Sequence, residues 1–161
     1  MKNIILALVI MTTVVSGDVF DKGRSSVGVV AGSGYSHGES YTIIGVGVDY
    51  FLVNGVSVGI GYRGWFGGNP VMNQLTITSS YYIPLSQKFR PYIGGFIRET
   101  FVNYDKIDDK NYESYGGRAG LAITMSPNSY MSFGYVYEEY GECIFSDCSS
   151  SYPELVFSLA F

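Results

Sequence analysis

Tyr152-Pro153-Glu154-Leu155-Val156-Phe157-Ser158-Leu159-Ala160-Phe161 reads as a β-strand. Leu155, Phe157, Leu159 and Phe161 share one face at a period of two, and Glu154, Val156, Ser158 and Ala160 share the other. Large apolar groups on one side, with small or polar groups opposite, is strand alternation. Such a strand carries a row of backbone donors and acceptors along each edge. It must pair or remain an exposed edge. The same pattern recurs upstream in residues 25–35, 41–52, 56–66, 73–83, 90–102, 115–125 and 130–140. Eight strands are therefore expected, with the last closing the sheet against the first.

The punctuation between them supports this count. Asn54-Gly55 is a hairpin signal because both residues tolerate positive φ. Gly67-Gly68-Asn69-Pro70 and Ser126-Pro127-Asn128-Ser129 are turn clusters. The longest polar connections are residues 103–114 and 141–151. The phase of the fifth strand stays open. Ile93 and Ile97 share a face with Glu99, while Tyr92 and Phe96 share one with Arg98.

The chain has 161 residues, the size of one domain. Gly (21), Tyr (15) and Phe (10) are abundant while only 15% of residues are charged, a bias toward strands rather than charged helices. A net charge of -4 argues against nucleic-acid binding, which needs a basic patch. Lys2, the apolar run 4–15 and Val15-Ser16-Gly17 read as a secretory signal peptide over residues 1–17, leaving a barrel domain over 18–161. The apolar run is shorter than the ~20 residues a membrane helix needs.

Strands of about ten residues cross a bilayer when tilted. Period alone does not say which face points outward, but volume does. An eight-stranded barrel has an interior just wide enough for side chains to fill it. Packing every Ile, Leu, Tyr, Phe and Met face inside would overfill it and leave glycines and serines outside. The expectation is the reverse: bulky groups outward, small and charged groups inward. Tyr35, Tyr50, Tyr62, Phe66, Tyr81, Tyr115, Tyr137 and Phe161, near strand ends, would then form interfacial girdles.

This phase sends Asp49, Arg63, Arg118, Glu138 and Glu154 inward, with Arg98 a candidate sixth. Buried charges are costly unless paired. A salt-bridge network plugging a closed barrel is expected, in preference to the charged lining of a pore. Gly59-Ile60-Gly61-Tyr62-Arg63-Gly64 matches the dinucleotide fingerprint, but it lies within an alternating strand with no helix to receive a pyrophosphate. Its glycines read as small inward residues. Cys143 and Cys148 should pair as a disulfide in an exported chain, the alternatives being metal binding with Glu142 and Asp147, or free thiols. Asp105, Asp108 and Asp109 lack EF-hand spacing and read as a solvated loop with Lys106 and Lys110. No metal site and no cofactor are expected.

The leader, the eight alternating strands, Arg90-Pro91-Tyr92-Ile93-Gly94-Gly95 and the closing Leu159-Ala160-Phe161 together resemble the small eight-stranded outer-membrane β-barrels of Gram-negative bacteria. The resemblance covers essentially all of the chain after the leader. It implies an all-β, antiparallel, up-and-down transmembrane β-barrel, monomeric, in the cell outer membrane. The partners it implies are outer-membrane lipids and lipopolysaccharide, the assembly machinery that reads a terminal aromatic (here Phe161), and a host or surface ligand at four outer loops. Such motifs specify architecture rather than activity. The family holds structural anchors, adhesins and a few lipid A-modifying enzymes. A non-enzymatic structural or surface-interaction role is the expectation. The alternatives are a narrow porin-like channel and a lipid A-modifying enzyme using His37, which has Ser36, Glu39 and Ser40 nearby but no nucleophile motif.

Overall fold

The structure is a computed structural model, and it describes residues 17–36, 38–103, 110–141 and 148–161. Eight antiparallel strands form one closed barrel in chain order. They are β1 (Ser25–Ser36), β2 (Glu39–Val53), β3 (Val56–Phe66), β4 (Val71–Tyr82), β5 (Phe89–Asn103), β6 (Lys110–Ser126), β7 (Ser129–Tyr140) and β8 (Ser149–Ala160). β6 and β8 begin earlier than the alternation suggested. The polar residues 110–114 and 149–151 are strand, not loop. Polar side chains mark loops only where nothing pairs their backbone, and here β5 and β7 pair it.

Closure follows the predicted route. β8 pairs with β1 from Ser26↔Ala160 to Gly32↔Glu154. Below that ladder, Ser25 and Phe161 exchange backbone hydrogen bonds of 3.0 and 2.9 Å. Above Glu154 the ladder toward β1 stops, and the next residue is Pro153, which has no N–H to donate. Three turns, at residues 54–55, 83–88 and 127–128, lie at the same end as Ser25 and Phe161. The strand ends that flank the other four connections lie at the opposite end. Gly55 adopts a positive φ of 79°, the conformation its tight hairpin requires.

The strands alternate as the volume argument requires. Val29, Ile44, Val46, Ile60, Ile77, Ile93, Ile97, Tyr135 and Leu159 point away from the bore, each more than half exposed. The predicted girdle residues also face outward, Phe161 the most covered of them. This continuous apolar exterior is far larger than water-facing surfaces normally carry. The phase of β5 is resolved: Tyr92, Phe96 and Arg98 are buried inside, while Ile93, Ile97 and Glu99 face out.

Candidate functional site: a charged chamber between two aromatic seals

The centre of the bore is lined by small residues and crossed by charges. Glu154 on β8 receives two guanidiniums, Arg63 on β3 at 2.7 Å and Arg118 on β6 at 2.9 Å, one on each carboxylate oxygen. None of these strands is adjacent to another in the ring, so the contacts span the lumen. Asp49 enters the same space from β2, with the Thr78 hydroxyl as its hydrogen-bond neighbour. Gly59 lies directly beneath Asp49, and a Cβ there would come within 2.2 Å of the Asp49 carboxylate. Gly59 is thus floor space for a charged side chain, whereas Gly64, expected inward with it, lies on the outward face against the Phe66 ring because it shares the strand phase of Tyr62 and Phe66. Around these groups lies a cavity of ≈ 40 Å³, lined by Asp49, Arg63, Arg118, Thr76, Thr78, Ser80, Ser132 and Ser158 among others. A polar space of this size holds a few waters at ~10–15 Å³ each.

Toward the loop end the bore is filled by Tyr41, Ile43, Trp65, Met72, Phe96, Val102, Val136 and Tyr152. Trp65 stands edge-on to Tyr152, with ring centroids 5.3 Å apart, and its Nε1 donates to Gln74 Oε1 at 2.8 Å. Beside this seal Arg98 is paired with Glu138. Arg98 Nε donates to Thr76 Oγ1 at 2.8 Å and its Nη1 to Tyr152 Oη at 2.7 Å. Ser114 Oγ donates to the second Glu138 oxygen at 2.5 Å. Both members of this pair are fully enclosed, and several polar neighbours offset the desolvation of their charges.

Toward the turn end a second apolar cluster closes the bore: Val19, Phe20, Phe51, Tyr82, Tyr92, Ala122, Tyr130 and Ala160. Two of its members, Val19 and Phe20, precede β1. Residues 18–24 fold back into the mouth. The Phe20 ring packs against Tyr82 (4.7 Å), Tyr130 (4.9 Å) and Phe51 (5.7 Å). Arg90 lies over the Phe20 ring and pairs with Asp18.

All the inward charges anticipated from sequence therefore do point into the bore, but their pairing was not legible. Both Arg63 and Arg118 choose Glu154; Glu138 takes Arg98; Asp49 makes none of the ion pairs found among the described residues. The expectation that small residues and charges alone fill the interior needs correction. Its two ends are aromatic. Tyr92 fits because Gly120 and Gly134 lie where its ring crosses the bore, leaving no room for a Cβ. Sequence reasoning also missed residues 18–24. The available signal was the apolar pair Val19-Phe20, isolated between the expected leader and the first alternating strand. His37, Cys143, Glu142, Asp147, Asp105, Lys106, Asp108 and Asp109 lie outside the described residues. So the disulfide with Cys148 and any role for His37 remain expectations. No group of three or more His, Cys, Asp or Glu suited to a metal ion occurs among the described residues.

No protein-family model matches the chain. No curated protein matches it either. Solved structures do. The N-terminal β-barrel domain of Pseudomonas aeruginosa OprF superposes with a TM-score of 0.72 at 15% identity, covering 87% of this chain and 98% of that one. Neisserial surface protein A gives 0.62 at 15% identity, covering 86% and 96%. Ail, the attachment invasion locus protein of Yersinia pestis, gives 0.53 at 13% identity, covering 87% and 99%. At these identities the likeness is one of fold. The chain has the fold of the small eight-stranded outer-membrane β-barrels.

Proposed function

We propose that this protein is a sealed outer-membrane barrel of a Gram-negative bacterium, a structural or surface-interaction element rather than an open pore or an enzyme. The observation that carries this reading is the interior. Two aromatic seals enclose a neutral set of charges, Arg63, Arg98 and Arg118 against Asp49, Glu138 and Glu154. Ions crossing it would have to part buried ion pairs. The continuous apolar exterior supports residence in lipid, where only a closed ring leaves no strand edge unsatisfied. The outward tyrosines and phenylalanines suit the two interfaces. By analogy with barrels of this architecture, the end bearing the three turns faces the periplasm and the other four connections face out.

Single-channel recording on the purified wild type in planar bilayers tests the reading. The expected result is no stable conductance in protein that is folded by the heat-dependent shift of its gel mobility. Stable open channels would overturn it in favour of the narrow porin. A chain that stayed monomeric and soluble without detergent would overturn the membrane reading itself.

A further inference from the structure

The segment between the leader and β1 is held like a bound peptide. Its backbone is tied to the mouth at several points. Gly55 N donates to Phe20 O at 2.8 Å, Gly23 N to Phe51 O at 2.8 Å, and Lys22 N to Asn54 Oδ1 at 2.9 Å. Phe51 N in turn donates to Arg24 O at 2.9 Å. Arg24 Nη2 reaches the Pro127 carbonyl across the mouth at 3.2 Å. Two of the three turns, residues 54–55 and 127–128, thus hold this segment, and the Asp18–Arg90 pair ties it to the start of β5. At the centre, Phe20 is 1% exposed in a socket of Phe51, Tyr82 and Tyr130.

These anchors lie outside the paired registers of the barrel, although Phe51, which bonds Gly23 and Arg24, is itself a β2 residue. The β1–β2 register begins at Ser25↔Tyr50 and the β1–β8 register at Ser26↔Ala160. The ring is complete without residues 18–24. Directly above the Phe20 socket, Tyr82 and Tyr130 also line the chamber that holds Asp49, Arg63 and Arg118. A ring can leave a mouth at modest cost when it is the end of a short, separately anchored segment, because local opening need not break the cooperative sheet.

We propose that residues 18–24 are a stopper with Phe20 as its plug, separable from the barrel, which closes the turn-end mouth and keeps the charged chamber from the periplasm. This rests on the sealed-barrel reading above. With the stopper out, only the barrel's own Phe51, Tyr82, Tyr92 and Tyr130 stand between the chamber and that mouth, while the seal of Trp65, Phe96 and Tyr152 and the Arg98–Glu138 pair keep the opposite half of the bore closed.

The test places a reporter thiol in the chamber wall. Ser132→Cys, at a buried chamber position, is introduced in a Cys143→Ser, Cys148→Ser background of the full chain. The barrel is extracted from membranes in detergent and treated with a small charged thiosulfonate. Heat-dependent gel mobility confirms closure of every sample, independently of labelling. With the stopper intact, Cys at 132 should react slowly. Adding Phe20→Ala should speed labelling roughly a hundredfold, as expected for removing one large buried ring that holds a local closed state. Asp18→Asn, which cuts only the tether to Arg90, should give a smaller increase and covers the case in which Phe20→Ala does not close. Folded variants labelled no faster than the parent would overturn the stopper while leaving the sealed barrel standing. Rapid labelling with the stopper intact would instead overturn the sealed barrel.

Discussion

Arg63 and Glu154 meet across the bore at 2.7 Å, from strands three places apart around the ring. Neither is a neighbour of the other in sequence or in any ladder. Their pairing exists only because the sheet closes. It makes Glu154, which also holds Arg118, the residue whose loss should be felt most inside the barrel.

Glu154→Gln should therefore lower stability by about 3–5 kcal/mol, the usual cost of stranding a buried charge, here in front of two guanidiniums. The midpoint of urea unfolding, followed by tryptophan fluorescence in detergent, measures it. Replacing all three members with apolar residues of similar size should recover much of the loss, since the desolvation cost then disappears with the charges. If the triple variant were as unstable as Glu154→Gln, the ion pairs would be net contributors rather than a compensated arrangement.

A second cycle isolates Arg98 and Glu138. Both are enclosed, and each has other partners: Thr76 and Tyr152 for the guanidinium, Ser114 and Tyr152 for the carboxylate. Arg98→Met and Glu138→Met should each destabilise strongly, and the double variant by less than their sum. A coupling of about 1 kcal/mol or more is expected for groups in one hydrogen-bonded network. Strictly additive losses would show that the two charges act independently.

The chain start is a third point. Asp18 N lies 2.8 Å from Asp21 Oδ2. Processing after Gly17, as the leader suggests, would turn that nitrogen into an ammonium already facing a carboxylate. Intact mass of the envelope protein should then correspond to a chain beginning at Asp18. A start inside residues 19–24 would contradict both the processing site and the stopper.

Phe161 exchanges two backbone hydrogen bonds with Ser25 at the foot of the closing seam. Each is worth about 0.5–1.5 kcal/mol net. Its deletion should lower the yield of folded barrel in cells and lower it less on refolding in detergent, where no assembly machinery has to read a terminal aromatic. Equal losses in both settings would assign Phe161 a role in packing alone.

The expected Cys143–Cys148 bridge closes a short loop, so its entropic contribution is small compared with a bridge across the fold. Replacing both cysteines with serine should leave the unfolding midpoint of the barrel nearly unchanged. Trapping with a thiol reagent, without prior reduction, should find neither thiol free in protein taken from the envelope.

Much of the architecture was legible in residue order alone, because a strand in a barrel wall meets two different media. Ile44, Val46 and Val48 alternate with Gly45, Gly47 and Asp49, and that contrast identifies a strand, its length and its two faces without any partner in view. Interior volume then decides which face is outward, once the residue order has given the number of strands in the ring. Where both faces carry the same mixture, as in β5, the contrast vanishes. Arg98 was assigned inward only by the register that β4 and β6 impose on it. The choice of Glu154 by both Arg63 and Arg118, and the place of Asp49 outside the ion pairs found among the described residues, depended on how far each strand is displaced along its neighbours around a complete turn of the ring. No local pattern records that displacement. The stopper escaped for a related reason. Residues 18–24 are too short to show a period, and Phe20 is a plug only because Phe51, Tyr82 and Tyr130, remote in sequence, form one socket once the barrel has closed.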